Sequence, residues 1–121
     1  MSFTVLVCDD SAIARKMAIK SLPSALQKNV YQAADGEEAL SVLNARRIDL
    51  LLLDLTMPVL DGVGVLESIR QHVHEVYVLI ISGDIQPHMQ QKIRQFNVLG
   101  FLPKPVCTTQ MSYTLNQYGL Y

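Results

Sequence analysis

The sequence predicts an α/β domain in which five parallel strands form one sheet with helices on both faces. Three observations carry this. Apolar runs of strand length alternate five times with segments of helical period, the pattern expected when helices connect parallel strands. One run, Ile48 to Leu53, is almost unbroken, which suits a strand covered on both faces in the middle of such a sheet. The chain has 121 residues, 50% hydrophobic and 17% charged, a balance that excludes disorder and fits one compact domain.

The elements follow in order. Thr4 to Cys8 reads as the first strand. Ile13 and Met17, with Ala14 and Ala18, repeat at four-residue spacing and predict a helix, capped by Ser11 or Asp10 and ended by Pro23. Val30 to Ala33 is a short second strand. Asp35-Gly36 turns the chain, and Ala39, Leu40 and Leu43 mark a second helix. Ile48 to Leu53 is the third strand, and Met57-Pro58 and Asp61-Gly62 make Asp54 to Gly62 a loop. Val63, Val65, Leu66 and Ile69 give a third helix. Val76 to Ile81, rich in β-branched residues, gives the fourth strand. Ser82-Gly83-Asp84 is a turn. Pro87 suits the first turn of a fourth helix with Met89, Ile93 and Phe96 on one face. Gly100 to Leu102 is a fifth strand, Lys104-Pro105 breaks the chain, and Met111, Leu115 and Tyr118 mark a fifth helix.

Composition removes several classes of function. The net charge is −1 and the pI about 6.3, so there is no basic surplus to coat a nucleic acid. Cys8 and Cys107 are too few for a disulfide scaffold. The start Met1-Ser2-Phe3 lacks a basic region, and its apolar run stops at Asp9-Asp10, which does not fit a signal peptide. The longest apolar runs are too short to span a membrane. A cytoplasmic protein that binds neither nucleic acid nor membrane is therefore expected.

Ligands of open parallel sheets bind outside the carboxyl ends of the strands. Asp9 and Asp10 follow strand one, Asp54 strand three, Ser82 strand four and Lys104 strand five. Each has an ordinary use: acids cap helices, serines sit in turns, lysines face water. Their joint placement favours one shared site. Three adjacent carboxylates repel by about 4 kcal/mol per pair at about 4 Å and an effective dielectric of about 20. A divalent cation would offset this. Oxygen ligands without Cys or His favour magnesium, manganese or calcium over zinc. Lys104 adds a positive charge for an anion. The charges suit a phosphoryl group carried on a carboxylate. His72, His74 and His88 form no recognisable ligand set.

Four segments resemble those of receiver domains from two-component response regulators. They are Val5-Leu6-Val7-Cys8-Asp9-Asp10-Ser11, Ala34-Asp35-Gly36-Glu37-Glu38-Ala39-Leu40, the run from Asp49 through Asp54-Leu55-Thr56-Met57-Pro58 to Asp61-Gly62, and Gly100-Phe101-Leu102-Pro103-Lys104-Pro105. Together they cover almost the whole chain. The resemblance implies a flavodoxin-like strand order of 2-1-3-4-5. It makes Asp54 the phosphorylated residue and Asp10 a direct Mg2+ ligand, with Asp9 the second acid, often acting through water. The backbone carbonyl of Thr56 becomes a further ligand, and Mn2+ a substitute for Mg2+. Lys104 contacts the phosphoryl group, Ser82 and Phe101 act as switch residues, and Lys104-Pro105 is the usual cis peptide site. Gly83 stands where the family commonly has alanine, and Thr56 and Asp84 occupy positions that vary and tune phosphoryl lifetime.

The expected function is a switch that takes a phosphoryl group from a histidine kinase or phosphotransfer protein. It then changes the face formed by helix four, strand five and helix five, to control a downstream protein or a fused output domain. It catalyses only its own phosphorylation and dephosphorylation. Three alternatives compete. A hydrolase resembling haloacid-dehalogenase phosphatases needs a second acid where Thr56 stands. A flavodoxin-like nucleotide or flavin binder needs a phosphate cradle where Asp9-Asp10 would repel phosphate. A degenerate receiver would lack part of the acid, serine and lysine set. One domain over residues 1–121 is expected, alone or as the N-terminal part of a longer protein. Tyr113 and Tyr118 either pack helix five on the sheet or serve an interface, while Leu120 and Tyr121, past Gly119, suggest a docking surface, with a phosphorylation-dependent homodimer through it, or a chain that continues into another domain.

Overall fold

A computed structural model describes residues 3–55, 57, 61–72, 74–83 and 86–120. Thr56, Asp84 and Tyr121, singled out above, lie outside them. Five strands, β1 (Val5–Cys8), β2 (Val30–Ala33), β3 (Leu50–Leu53), β4 (Tyr77–Ser82) and β5 (Gly100–Pro103), form one parallel sheet in the order β2-β1-β3-β4-β5. Five helices alternate with them: α1 (Ala12–Ser21), α2 (Gly36–Ala45), α3 (Gly62–Gln71), α4 (Pro87–Ile93) and α5 (Thr108–Gln117). The expected fold class and strand order are both observed.

The alternation of strand side chains sorts the apolar residues into two cores. Leu6, Cys8, Leu51, Leu53, Val78 and Ile80 point to one face, where Ala39, Leu43, Leu66 and Ile93 of α2, α3 and α4 cover them. Val5, Val7, Leu50, Leu52, Leu79 and Ile81 point to the other, under Ala18, Met111 and Leu115 of α1 and α5. All four leucines of β3 are buried, so the near-continuous apolar run reflects a central strand with two dry faces.

The helix starts are built from side chains. Ser11 caps α1, its hydroxyl accepting the Ala14 N–H at 3.2 Å. Asp35 caps α2 and Asp61 caps α3, each accepting an N–H at 2.9 Å, from Glu38 and Gly64. Because Ser11 serves α1, Asp10 is not spent as the cap.

Some boundaries and faces differ from expectation. The third strand begins at Leu50, two residues late, because Asp49 closes the sheet's lower end. Its carboxylate accepts the Thr4 N–H at 2.8 Å, and its own N–H donates to Thr4 O at 2.8 Å. Ser82 is the last residue of β4 and not part of a turn, since Lys104 N–H donates to its carbonyl at 3.0 Å and extends the ladder. Helix α4 ends at Ile93, and Phe96 is buried from the turn beyond it. In α1, Ala18 is buried while Ile13 and Met17 are 73% and 43% exposed, so the apolar repeat there spans two faces and only one meets the core. Tyr118 follows α5, half exposed, its hydroxyl donating to Leu99 O at 3.0 Å. A short 3-10 turn, Ser24–Leu26, had no sequence signal that separated it from a loop.

Gly62 sits at a close approach of two backbone segments. A Cβ there would lie 2.7 Å from both Asp54 O and Leu55 Cα. Backbone, not a flexible side chain, stands in the way, so Gly62→Ala should destabilise by about 1–3 kcal/mol. Gly83 has nothing within 4 Å of such a Cβ, and Gly83→Ala should change stability by less than about 1 kcal/mol. Urea unfolding of both variants tests this; equal effects would refute it.

Candidate functional site

The carboxyl ends of β1, β3, β4 and β5 meet along one edge because the strands run parallel and in register. Cys8 pairs with Leu53, Leu53 with Ile80, and Ile81 with Leu102. Asp9 and Asp54 are the residues immediately beyond β1 and β3, and Asp54 N–H donates to Cys8 O at 3.0 Å. Asp9, Asp54 and Ser82 are buried, at 4%, 5% and 2% exposure, whereas Asp10 is exposed. One carboxylate oxygen from each of Asp9, Asp10 and Asp54 lies within 4.8 Å of the others. Lys104 enters from the end of β5. Its Nζ sits 2.6 Å from Asp9 Oδ2 and 3.6 Å from Asp54 Oδ2.

Asp9 is held at every polar atom. Its N–H donates to Ala33 O at 3.1 Å, and its Oδ1 accepts the Ser11 N–H at 2.9 Å. Its carbonyl accepts Arg15 Nη1 at 2.7 Å, while Arg15 Nε donates to Gln32 Oε1 at 2.9 Å. Arg15 thus ties α1, the acid pair and β2 together. Periodicity passed over it because only apolar positions were read; a cation five residues after Asp10, on the first turns of the adjoining helix, was the available signal.

The electrostatics follow from this crowding. Partial burial pushes the Lys104 ammonium down, but its bond to Asp9 and the charges of Asp54 and Asp9 outweigh that, and its pKa lies above the usual lysine value. Burial, then the charges of Asp35, Asp54, Asp9 and Glu38, push the Cys8 thiol up to about 12. It stays a neutral thiol whose one S–H has two acceptors in reach, Met57 Sδ at 3.3 Å and Asp35 O at 3.4 Å. Among the described residues this lining thiol is chemically inert.

Ser82 lies two residues beyond Ile80 and therefore shares a face of the sheet with Phe101, which pairs with Ile80 and packs, half-buried, on the α2–α3–α4 core. The Lys104–Pro105 peptide bond is cis. The edge thus brings together Asp9, Asp10, Asp54, Ser82 and Lys104. The Thr56 position is outside the described residues. The donor set fits a hard divalent cation: three carboxylate oxygens, no sulfur or imidazole, and a lysine to balance the excess charge.

A parallel five-stranded sheet in this order, with an acid cluster and a lysine at its carboxyl edge, defines a receiver domain of signalling proteins. The chain belongs to the response regulator receiver domain family, whose model matches residues 5–116. It is 34% identical over 116 residues to an uncharacterized response regulatory protein of Staphylococcus epidermidis, covering 94% of this chain and 45% of that one. It is 31% identical to the protein-glutamate methylesterase/protein-glutamine glutaminase of group 2 operon from Rhodospirillum centenum, covering 91% of this chain and 29% of that one. The chain therefore spans less than half the length of these relatives. Among solved structures it resembles Vibrio cholerae chemotaxis protein CheY4, with 28% identity, TM-score 0.85, and 97% and 98% of the two chains covered. It also resembles a chain of the CheX-CheY-BeF3-Mg2+ complex of Borrelia burgdorferi, with 26% identity, TM-score 0.88, and 98% and 90% covered. Family membership sets aside the phosphatase-type and flavin-binder readings. Among the described residues no helix is long and apolar enough to cross a membrane.

With metal removed by a chelator, the two neighbouring acids should behave oppositely. Asp9→Asn breaks the Lys104 pair and should cost about 1–2 kcal/mol. Asp10→Asn relieves repulsion and should raise stability by less than about 1 kcal/mol. The Lys104 pKa is raised above 10.5 on folding. Its contribution is therefore complete at neutral pH and lost as pH rises through that raised value, so the Asp9→Asn deficit should shrink only at strongly alkaline pH. Chemical unfolding across pH checks both signs.

Proposed function

We propose that this domain is a phosphorylation-controlled switch of a two-component system, with Asp54 as its phosphoacceptor. The observation that carries this reading is the position of Asp54: buried at the carboxyl edge, beside two further carboxylates and 3.6 Å from the Lys104 ammonium. A carboxylate at neutral pH is ionised and needs no general base to act as a nucleophile.

A phosphohistidine of a histidine kinase or phosphotransfer protein is the donor. An Asp54 oxygen attacks phosphorus, a new O–P bond forms, and the P–N bond breaks with its electron pair leaving on the imidazole. Lys104 neutralises charge on the transferring oxygens and holds them in line. Asp10 and Asp9, with Asp54 and the Thr56 carbonyl, would hold Mg2+, or Mn2+ in its place, which when bound supplies electrostatic stabilisation to the same oxygens. Water later cleaves the acyl phosphate.

The donor must cover the edge around Asp54. Exposed Ile13 and Met17 of α1 border an apolar hollow with Ala14, Pro105 and Val106, reaching to Lys104, which supports docking of the donor there. On the output side, the Ser82 hydroxyl donates to a phosphoryl oxygen and draws its loop inward, and Phe101 turns into the space released. The face of α4, β5 and α5 then changes. Tyr113 and Tyr118 are exposed there, and α5 carries no charged residue, which suits a partner, an output domain or a second copy of the phosphorylated chain. In this reading residues 1–121 are one receiver domain of a cytoplasmic protein, alone or at the N-terminus of a longer one.

Acetyl phosphate with Mg2+ should add one phosphoryl group, seen by intact-mass spectrometry, and none with chelator. Asp54→Asn should abolish it, because an amide is not a competent nucleophile; equal labelling of that variant refutes the assignment. Ser82→Ala should still be labelled but show a smaller amide-shift change around Phe101. An unchanged response removes Ser82 from the switch.

A further inference from the structure

At the opposite end of the sheet, helix α4 is only seven residues long. Helices α1 and α5 pack on one another, as do α2 and α3, whereas α3 and α4 have no comparable contact. A hollow of about 310 Å³ is left between the end of α3, the start of β4 and the turn after α4. Its floor is apolar: Leu66 and Ile69 of α3, Val78 of β4, and Phe96. Its rim carries Arg70 and His74, and among the described residues no carboxylate lines it.

Two details make the rim specific. The Arg70 guanidinium lies over the Phe96 ring, 4.6 Å from its centroid. Among the described residues it forms no hydrogen bond or ion pair, so its fork of N–H donors is oriented by stacking and unspent. His74 is fixed in the wall by a bond between Nε2 and Asn44 Oδ1 at 3.0 Å. The neighbouring crevice around Arg47 differs, because Arg47 there faces Asp49 at 3.8 Å and Glu75 also lines it.

A hollow of about 310 Å³ with an apolar floor and an oriented guanidinium on its rim is the build of a small-molecule site with one anionic anchor. We propose that this hollow binds a small aromatic carboxylate, its ring on Val78 and Ile69 beside the Arg70–Phe96 stack and its carboxylate on Arg70. This site is separate from the acid cluster at the carboxyl edge and requires no phosphorylation.

The test is an amide NMR titration of the full chain with benzoate at constant ionic strength. Benzamide serves as the uncharged isostere and acetate as the charge without the ring. Benzoate should give saturable shifts centred on Ile69, Val78 and Phe96. Benzamide and acetate should each bind about tenfold more weakly, the factor that one charge-assisted hydrogen bond or one buried ring supplies. Arg70→Gln, at an exposed position, should lose about tenfold for benzoate and leave benzamide unchanged. Shifts that never saturate, equal affinity for benzoate and benzamide, undiminished binding by Arg70→Gln, or shifts centred on Asp9 and Lys104 would each overturn the proposal.

Discussion

Repulsion among Asp9, Asp10 and Asp54 is the constraint to which the rest of the carboxyl edge answers. Oxygens within 4.8 Å of one another repel by at least about 3 kcal/mol per pair at an effective dielectric of about 20. Two of these acids are buried, where water screens their repulsion least. The chain resolves this with Lys104, which contacts Asp9 directly and stands one ångström further from Asp54. The arrangement leaves Asp54 within the lysine's field without a tight lysine contact. Compensation in the resting site is incomplete: among the described residues three carboxylates face one lysine ammonium, and the Arg15 guanidinium is engaged by the Asp9 carbonyl. A second cation, or a group that brings its own counter-charge, is favoured there on electrostatic grounds alone.

That charge arrangement depends on a stiff support. The acids do not reach the edge on long side chains; they are placed by strands whose side chains fill two separate cores. The β3 leucines contribute to both, so Asp54, the next residue, inherits the position of the most buried strand. Gly62 then lets α3 begin against Asp54 O and Leu55 Cα, closer than any side chain would allow. Polar restraint is concentrated on Asp9, through Ala33, Ser11, Arg15 and Lys104. Asp10 is exposed next to it. The buried acid of the pair organises the turn, and the exposed one is left open toward solvent.

Much of this was legible in the sequence for identifiable reasons. Strand-length apolar runs announced the sheet because parallel strands are buried on both faces, and the strand-end rule brought Asp9, Asp10, Asp54, Ser82 and Lys104 to one edge. What was not legible depends on contacts between distant segments. The start of β3 is set by Asp49 reaching Thr4, forty-five residues away. Apolar spacing in α1 could not say that Ile13 and Met17 face solvent, since alanines one position further on satisfy the same period and fit closer to the sheet. Arg15 looked like any helix-surface cation, and its bond to the Asp9 carbonyl exists only once α1 has folded back along β1. The hollow beside Phe96 exists because α4 stops at Ile93, and helical spacing had carried that helix on through Phe96.

The two ends of the sheet are joined by one face of β4. Val78 lines the hollow, Ile80 packs in the same core, and Ser82 ends the strand at the acid cluster, all three on the side covered by α3 and α4. Phe96 and Phe101 belong to that core as well. A close-packed core has few voids to absorb a displacement, and this one is shared by the residues that floor the hollow and by those beneath the acid cluster. If the proposed phosphorylation at Asp54 and the proposed ligand in the hollow are coupled through this core, linkage makes the coupling reciprocal: each changes the affinity for the other by the same factor.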